Sequence, residues 1–219
     1  MHLESWVNHM YHMISFDLDG TLADTFPVIL KSFHSTVQHF TGEQIDDQQI
    51  FDTFGTNEQG MLRSLLPDVP LDTASDYFYE SYQQAHEGLR QPFPGIVDLL
   101  KELTNHGIQV SLLTGKGQQA CDISLEMLGL TGYFKPVLVG SPERNVKTDN
   151  LKRLLTTQHL DPNELAYVGD ATSDIKAAQA AGIHCFSAAW SPSTQLAPLK
   201  AVNADIYETV ADLQAKLLN

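Results

Sequence analysis

The sequence predicts an α/β protein: a doubly wound parallel sheet with an all-helical segment inserted after its first strand. Three observations carry this. Short, continuously apolar runs of strand length end at polar or Gly-containing turns, the pattern of strands buried on both faces. From about residue 92 onward these runs alternate with stretches of helical apolar spacing, the order of a parallel sheet with crossover helices. Between Asp24 and Gln91 no strong strand run occurs, and the apolar residues recur at helical spacing.

Met13-Ile14-Ser15-Phe16 is the first strand and runs straight into Asp17. Then come three helical faces: Val28, Ile29, Phe33, Val37 and Phe40; Met61, Leu62, Leu65 and Leu66; Tyr77, Phe78 and Tyr82. Gly42, Gly55, Pro67, Pro70 and Gly88 punctuate them. A compact α/β domain does not use so long a segment as a loop. The expected division is therefore a core of residues 1–23 and 92–219 and a helical domain of residues 24–91. Ile96, Leu99, Leu100 and Leu103 mark a helix that Gly107 stops, and Ile108 to Leu113 the next strand. A helix follows through Ala120, Ile123, Leu125, Met127 and Leu128, then a strand from Pro136 to Val139. Leu151, Leu154 and Leu155 form a further helical stripe, and Leu165 to Val168 a strand ending at Gly169-Asp170. Ile175, Ala177, Ala178 and Ala181 precede Gly182; Ile183 to Phe186 is a weaker strand, and a terminal helix spans about Tyr207 to Leu218. This is a Rossmann-like order.

Composition removes several function classes. The 219 residues carry 13 Lys+Arg against 27 Asp+Glu, a net charge of 13 − 27 = −14. Such a chain repels nucleic-acid polymers and anionic membrane surfaces unless a basic patch reverses the field, and its basic residues are scattered. A hydrophobic share of 42% is enough for a packed core. Cys121 and Cys185 stand far apart, which argues against a disulfide framework or a thiolate zinc site. The start of the chain lacks the basic and apolar regions of a signal peptide, and no apolar stretch has the length of a membrane span. The expected setting is soluble and cytoplasmic, with oligomeric state left open. His2, His9 and His12 are irregularly spaced and read as surface residues.

The strongest chemical signal is Phe16-Asp17-Leu18-Asp19-Gly20-Thr21. Carboxylates at i and i+2 of an extended segment point to one side. At the carboxyl edge of a parallel sheet that side opens on the usual ligand crevice. Two close carboxylates repel unless a cation or proton is shared, which points to a hard metal such as Mg²⁺. Gly169-Asp170-Ala171-Thr172-Ser173-Asp174 repeats the pattern after another buried strand. Asp170 completes a metal site there, while Asp174 supports it or caps the next helix. Leu113-Thr114-Gly115-Lys116-Gly117 offers a hydroxyl and free backbone N–H groups between a strand and a helix, an anion-binding arrangement and equally an ordinary turn. Lys147 sits at the head of a helix, where a cation is slightly unfavourable against the dipole, so a local partner is expected; Lys116 competes with it for an anion.

Taken in order, these motifs resemble the haloacid-dehalogenase-like hydrolase superfamily over nearly the whole chain. Asp17 to Asp24 and the position of the helical insert resemble its phosphoglycolate-phosphatase-like branch, whose insert is a helical cap. The resemblance implies a phosphatase in which Asp17 attacks phosphorus to form an aspartyl-phosphate and Asp19 is the acid and base. It implies Mg²⁺ held by Asp17, the Asp19 carbonyl, Asp170 and Asp174, and a phosphoryl group held by Thr114, Gly115 and Lys147. The cap turn Phe54-Gly55-Thr56-Asn57-Glu58-Gln59-Gly60 supplies the expected specificity residues, Thr56, Asn57 and Glu58. Gly115 stands where many relatives carry Asn, Thr148 where the branch often has Pro, and Ala171 where Thr is frequent. The implied partner is a small phosphorylated metabolite: a phosphoglycolate-like compound, a nucleotide or a sugar phosphate. A phosphomutase of the β-phosphoglucomutase type and a pyrophosphatase are the alternative activities.

Overall fold

The computed structural model describes residues 11–218; the start of the chain, with His2 and His9, lies outside them. Six strands, β1 (Met13–Phe16), β2 (Gln109–Leu113), β3 (Val137–Leu138), β4 (Leu165–Gly169), β5 (His184–Ala188) and β6 (Ile206–Tyr207), form one sheet in the order β3-β2-β1-β4-β5-β6. Every pairing in it is parallel. The first strand is therefore central, and the chain winds outward from it on both sides.

Side chains alternate across each strand, and the two faces build two apolar layers. Ile14, Phe16, Val110, Leu112, Ala166 and Val168 pack with α5 (Ile96–Asn105), α6 (Gln118–Met127) and α10 (Val210–Leu218). Met13, Leu113, Leu165 and Tyr167 point the other way, against α7 (Lys147–Gln158), α8 (Thr172–Ala181) and α9 (Leu196–Val202). Both cysteines are buried and free within these layers.

Between β1 and α5 the chain forms α1 (Phe26–Thr41), α2 (Asp47–Phe51), α3 (Glu58–Leu65) and α4 (Leu71–Ala85). These helices bury an apolar cluster of their own, including Ile29, Phe33, Ile50, Leu62, Phe78 and Tyr82. Phe33 and Phe78 lie with ring centroids 4.6 Å apart, and Phe78 stacks on Tyr82 at 5.6 Å. Pro27 opens α1, where its missing N–H costs nothing, and Gly42 ends it at φ 74°. Asp46 and Gln49 form a reciprocal cap that starts α2, a helix whose single buried residue, Ile50, leaves no periodic pattern to read.

The carboxyl-terminal part differs from the sequence expectation. β5 extends to Ala188, and the stretch from Tyr207 divides into the end of β6 and a helix that begins only at Val210. Helix α9 contains Pro198 and buries only Leu199, and β6 has two half-exposed residues; neither element carries a hydrophobic period. The Trp190 indole N–H donates to the Thr21 carbonyl at 2.9 Å, tying the loop after β5 to the loop after β1. No helix among the described residues is long and apolar enough to cross a membrane.

Candidate active site at the carboxyl edge of the sheet

The register of the central strands makes the site. Phe16 lies opposite Leu112 on β2 and Val168 on β4. Asp17, Thr114 and Asp170 therefore leave the sheet at one edge, where a parallel sheet opens its ligand crevice. Asp17 Oδ1 accepts the Leu18 N–H at 2.8 Å. The chain then turns tightly: Leu18 packs inward, the Leu22 N–H donates to the Leu18 carbonyl at 2.9 Å, and Gly20 takes φ 72°. Asp19 meets the Thr25 hydroxyl and the Lys116 ammonium, the latter at 2.9 Å.

Asp174 is fully buried in the first turn of α8. Its Oδ2 accepts the Ala171 N–H at 3.0 Å. Lys147 Nζ stands 2.6 Å from Asp174 Oδ1 and 2.6 Å from Asp17 Oδ2. This is the local partner that a lysine at a helix N-terminus requires. One oxygen each of Asp17, Asp170 and Asp174 lies within 4.8 Å of the others. Two glycines leave room for this cluster. A Cβ on Gly20 would overlap the Asp170 carboxylate, and one on Gly169 would stand 2.6 Å from Asp174 Cγ.

Three carboxylates face one ammonium here, and burial exacts its cost. Desolvation pushes the Asp17 carboxyl up to about 7, with Asp174 and Asp19 adding to it against the pull of Lys147. Desolvation, then Asp174 and Asp17, push Asp170 up to about 8. Burial works against the Lys147 ammonium, yet Asp17 and Asp174 beside it raise its pKa above the usual lysine value. Lys116 behaves likewise, raised by Asp19 and Tyr82 despite burial. Carboxylates outnumber ammonium groups in the site, and the clustered oxygens of Asp17, Asp170 and Asp174 are the set a small hard dication prefers.

Thr114 is buried, and its Oγ1 accepts the Lys116 N–H at 3.2 Å. Gly115 continues this turn against Gly140, where a Cβ would overlap the Gly115 carbonyl. Lys116 and Lys147 thus enter the same crevice with different partners, Asp19 for one and Asp17 with Asp174 for the other.

Thr56, Asn57 and Glu58 lie across the crevice on the helical side, and all three line it. Asn57 caps α3 by accepting from the N–H groups of Gln59 and Gly60 at 3.1 and 3.2 Å. Its own N–H donates to the Ser141 carbonyl at 2.8 Å. Glu58 is buried; its Oε1 accepts the Tyr79 hydroxyl and its Oε2 the Gly117 N–H, each at 2.8 Å. Sequence reasoning places Glu58 near the ligand without indicating this bond, because its partner lies 59 residues away.

Two further groups, Ser124 and His86, carry no signal in the sequence. Lys116 stands 4.9 Å over the Tyr82 ring. The Ser124 hydroxyl donates to the Ala120 carbonyl at 2.8 Å and lies 2.8 Å from the Tyr82 hydroxyl and 3.2 Å from His86 Nε2. Tyr82 carries a helical apolar signal that reads as packing, and only its buried hydroxyl betrays a second task. Tyr82 and Lys116 join Asp17, Asp19, Thr114 and Lys147 in lining a cavity of about 370 Å³ between the sheet edge and the helices.

The sequence matches the family described as haloacid dehalogenase-like hydrolase over residues 14–188. Phosphoglycolate phosphatase 1 of Pseudomonas aeruginosa is 27% identical over 184 residues, which cover 79% of this chain and 67% of that protein. Pyrophosphatase PpaX of Bacillus pumilus is 28% identical over 204 residues, 92% of this chain and 94% of its own. The crystal structure of CbbY from Rhodobacter sphaeroides in complex with phosphate superposes with a TM-score of 0.78 at 19% identity, covering 95% of this chain and 100% of that one; at that identity the likeness concerns the fold.

Proposed function

The chain belongs to the haloacid dehalogenase-like hydrolase family, in its phosphoglycolate-phosphatase-like branch, and is a phosphatase enzyme; we propose that it is Mg²⁺-dependent and hydrolyses a small phosphate monoester through an aspartyl-phosphate. The observation that carries this reading is the convergence of Asp17, Asp170, Asp174 and Lys147 at one sheet edge, with Asp19 and Thr114 on the same cavity. Residues 24–91 act as the cap and residues 1–23 and 92–219 as the core. Asp17, Asp170 and Asp174, with the Asp19 carbonyl, would hold Mg²⁺. Bound there, the ion supplies positive charge for the phosphoryl oxygens.

Asp17 is the nucleophile, forming the new bond to phosphorus as the ester oxygen leaves. Asp19 gives that oxygen a proton, then takes one from the water that cleaves the aspartyl-phosphate. Lys116 and Thr25 both hold the Asp19 carboxyl through its Oδ1. Thr114, Gly115 and Lys147 hold the phosphoryl oxygens, Lys147 doing so while it steadies Asp17. Little covalent chemistry remains, so orientation and charge carry most of the rate. The Glu58 carboxylate and the Asn57 backbone N–H seat the cap on the core, which excludes water from the reacting centre.

The experiment is release of inorganic phosphate from p-nitrophenyl phosphate, with Mg²⁺ and with EDTA, in the natural protein and in Asp17→Asn. Mg²⁺-dependent release that Asp17→Asn abolishes is expected. Release indifferent to EDTA, or undiminished in the variant, overturns the reading. A product that is an isomerised sugar phosphate, with no free phosphate, identifies a mutase instead.

A further inference from the structure

The cavity has two chemically unlike ends. Its core end carries Asp17, Asp19, Thr114, Lys147 and Asp170. Its cap end is walled by Phe26, Ile29, Phe33, Phe54, Met61 and Phe78. Phe33 and Phe78 are almost wholly buried and packed ring to ring, so this wall is preformed. Phe26 and Phe54 stack with centroids 6.5 Å apart at the mouth.

Charge on the lining is equally informative. Three of its residues are cationic, and each has a carboxylate partner. Lys116 pairs with Asp19 at 2.9 Å, Lys147 with Asp17 at 2.6 Å, and Arg144 with Asp149 at 2.5 Å. Arg144 also belongs to the core side, with its side chain largely in solvent. The cap contributes a carboxylate instead, Glu58, to the lining. Its cations Lys31, Arg63 and Arg90 are exposed and lie off the cavity. A second anionic group on the substrate would thus lie among aromatic rings, beside Glu58, at an end of the cavity to which the cap contributes no cation. Burying such a charge unpaired is costly, whereas an apolar group gains by leaving water.

We infer that the natural substrate is a monoester of an uncharged, apolar-bodied alcohol, aromatic or branched aliphatic, and not phosphoglycolate or inorganic pyrophosphate. The inference rests on the phosphatase reading and sharpens it. Water is the second reactant: the P–O bond of the ester breaks, the alcohol leaves with a proton, and inorganic phosphate is released. The volume of about 370 Å³ suits a phosphoryl group plus one ring, at the low end of small-molecule sites.

The test compares kcat/KM for benzyl phosphate, methyl phosphate, 2-phosphoglycolate and inorganic pyrophosphate, with p-nitrophenyl phosphate as reference. The three monoesters compared all release unactivated alkyl alcohols, so differences among them report the cap end of the cavity. Benzyl phosphate is expected to exceed both methyl phosphate and 2-phosphoglycolate by roughly tenfold or more, as burial of one ring permits. Phe54 is 43% exposed, so Phe54→Ala keeps the fold and lowers the benzyl-to-methyl ratio by about threefold to tenfold. Hydrolysis of 2-phosphoglycolate or pyrophosphate at or above the benzyl rate overturns the inference and leaves the phosphatase reading standing. Failure to hydrolyse even p-nitrophenyl phosphate overturns both.

Discussion

The Glu58 carboxylate, in the first turn of α3, accepts the backbone N–H of Gly117 at 2.8 Å across the boundary between the helical insert and the sheet. Gly117 precedes α6 and follows Lys116, so the bond joins the cap turn to the loop that carries the partner of Asp19. A Cβ on Gly117 would stand 2.6 Å from Glu58 Oε1 and 2.9 Å from Asn57 Nδ2, so any larger residue here has to displace both side chains. The neighbouring Asn57 N–H to Ser141 carbonyl bond, 2.8 Å, doubles the clasp.

Removing the carboxylate leaves two buried donors, the Tyr79 hydroxyl and the Gly117 N–H, without their partner. Unsatisfied buried groups cost about 1–3 kcal/mol. Glu58→Ala is expected to lose that much in urea denaturation and to raise KM. A variant as stable as the natural protein would show that the clasp contributes nothing.

Among the described residues, Lys147 is the one cation paired with Asp17 and Asp174, and its side chain is largely buried between them, beside Asp170. Breaking a buried pair by removing one partner costs about 3–5 kcal/mol, because the other charge stays behind. Lys147→Met should therefore destabilise the metal-free protein strongly. Added Mg²⁺ should restore part of the loss, since a cation again faces the carboxylates. Thermal melts with EDTA and with Mg²⁺ measure both effects, and equal losses in the two would separate Lys147 from the metal cluster.

The pH dependence of stability has a definite sign. Burial raises the folded-state values of Asp17 and Asp170 to about 7 and about 8, above the ordinary 3.8 that each has in an unfolded chain. Between those limits the folded protein binds more protons than the unfolded one, so its stability falls as pH rises. The metal-free protein should be most stable at mildly acidic pH and lose stability toward about pH 8. Mg²⁺ competes with those protons, so the rise in Tm that it produces should be larger at about pH 8 than at about pH 6. Melts across this range with EDTA and with Mg²⁺ test it; a stabilisation independent of pH contradicts it.

The central sheet was legible because its strands are buried on both faces and declare themselves as unbroken apolar runs. Asp17, Asp19, Asp170 and Asp174 were legible for the same reason: each follows such a run at a spacing that only a strand end or a helix start explains. What stayed hidden was of two kinds. Helices α2 and α9 and strand β6 bury at most one residue each, so no period marks them. The Lys116–Asp19 pair and the Glu58–Gly117 bond join residues far apart in the chain, and nothing local encodes them. Lys116 and Lys147 look alike in sequence, and only the register of the strands assigns each its carboxylate.

Gly20 offers a test of the metal cradle that separates backbone strain from crowding. Its φ of 72° lies in the left-handed region, and a Cβ would overlap the Asp170 carboxylate. Gly42, at the end of α1, has φ 74° with nothing within 4 Å of its would-be Cβ. Alanine at either position costs about 1–2 kcal/mol of backbone strain. Only at Gly20 does it also displace a carboxylate from the cluster. Gly20→Ala is therefore expected to raise the Mg²⁺ concentration for half-maximal activity by about 10–100-fold, the usual penalty for disturbing a group that orients a metal ligand. Gly42→Ala should lose comparable stability and keep the Mg²⁺ requirement of the natural protein. Equal Mg²⁺ requirements in the two variants would remove Asp170 from the metal site; a selective loss at Gly20 ties that carboxylate, and the tight turn after β1, to the cation.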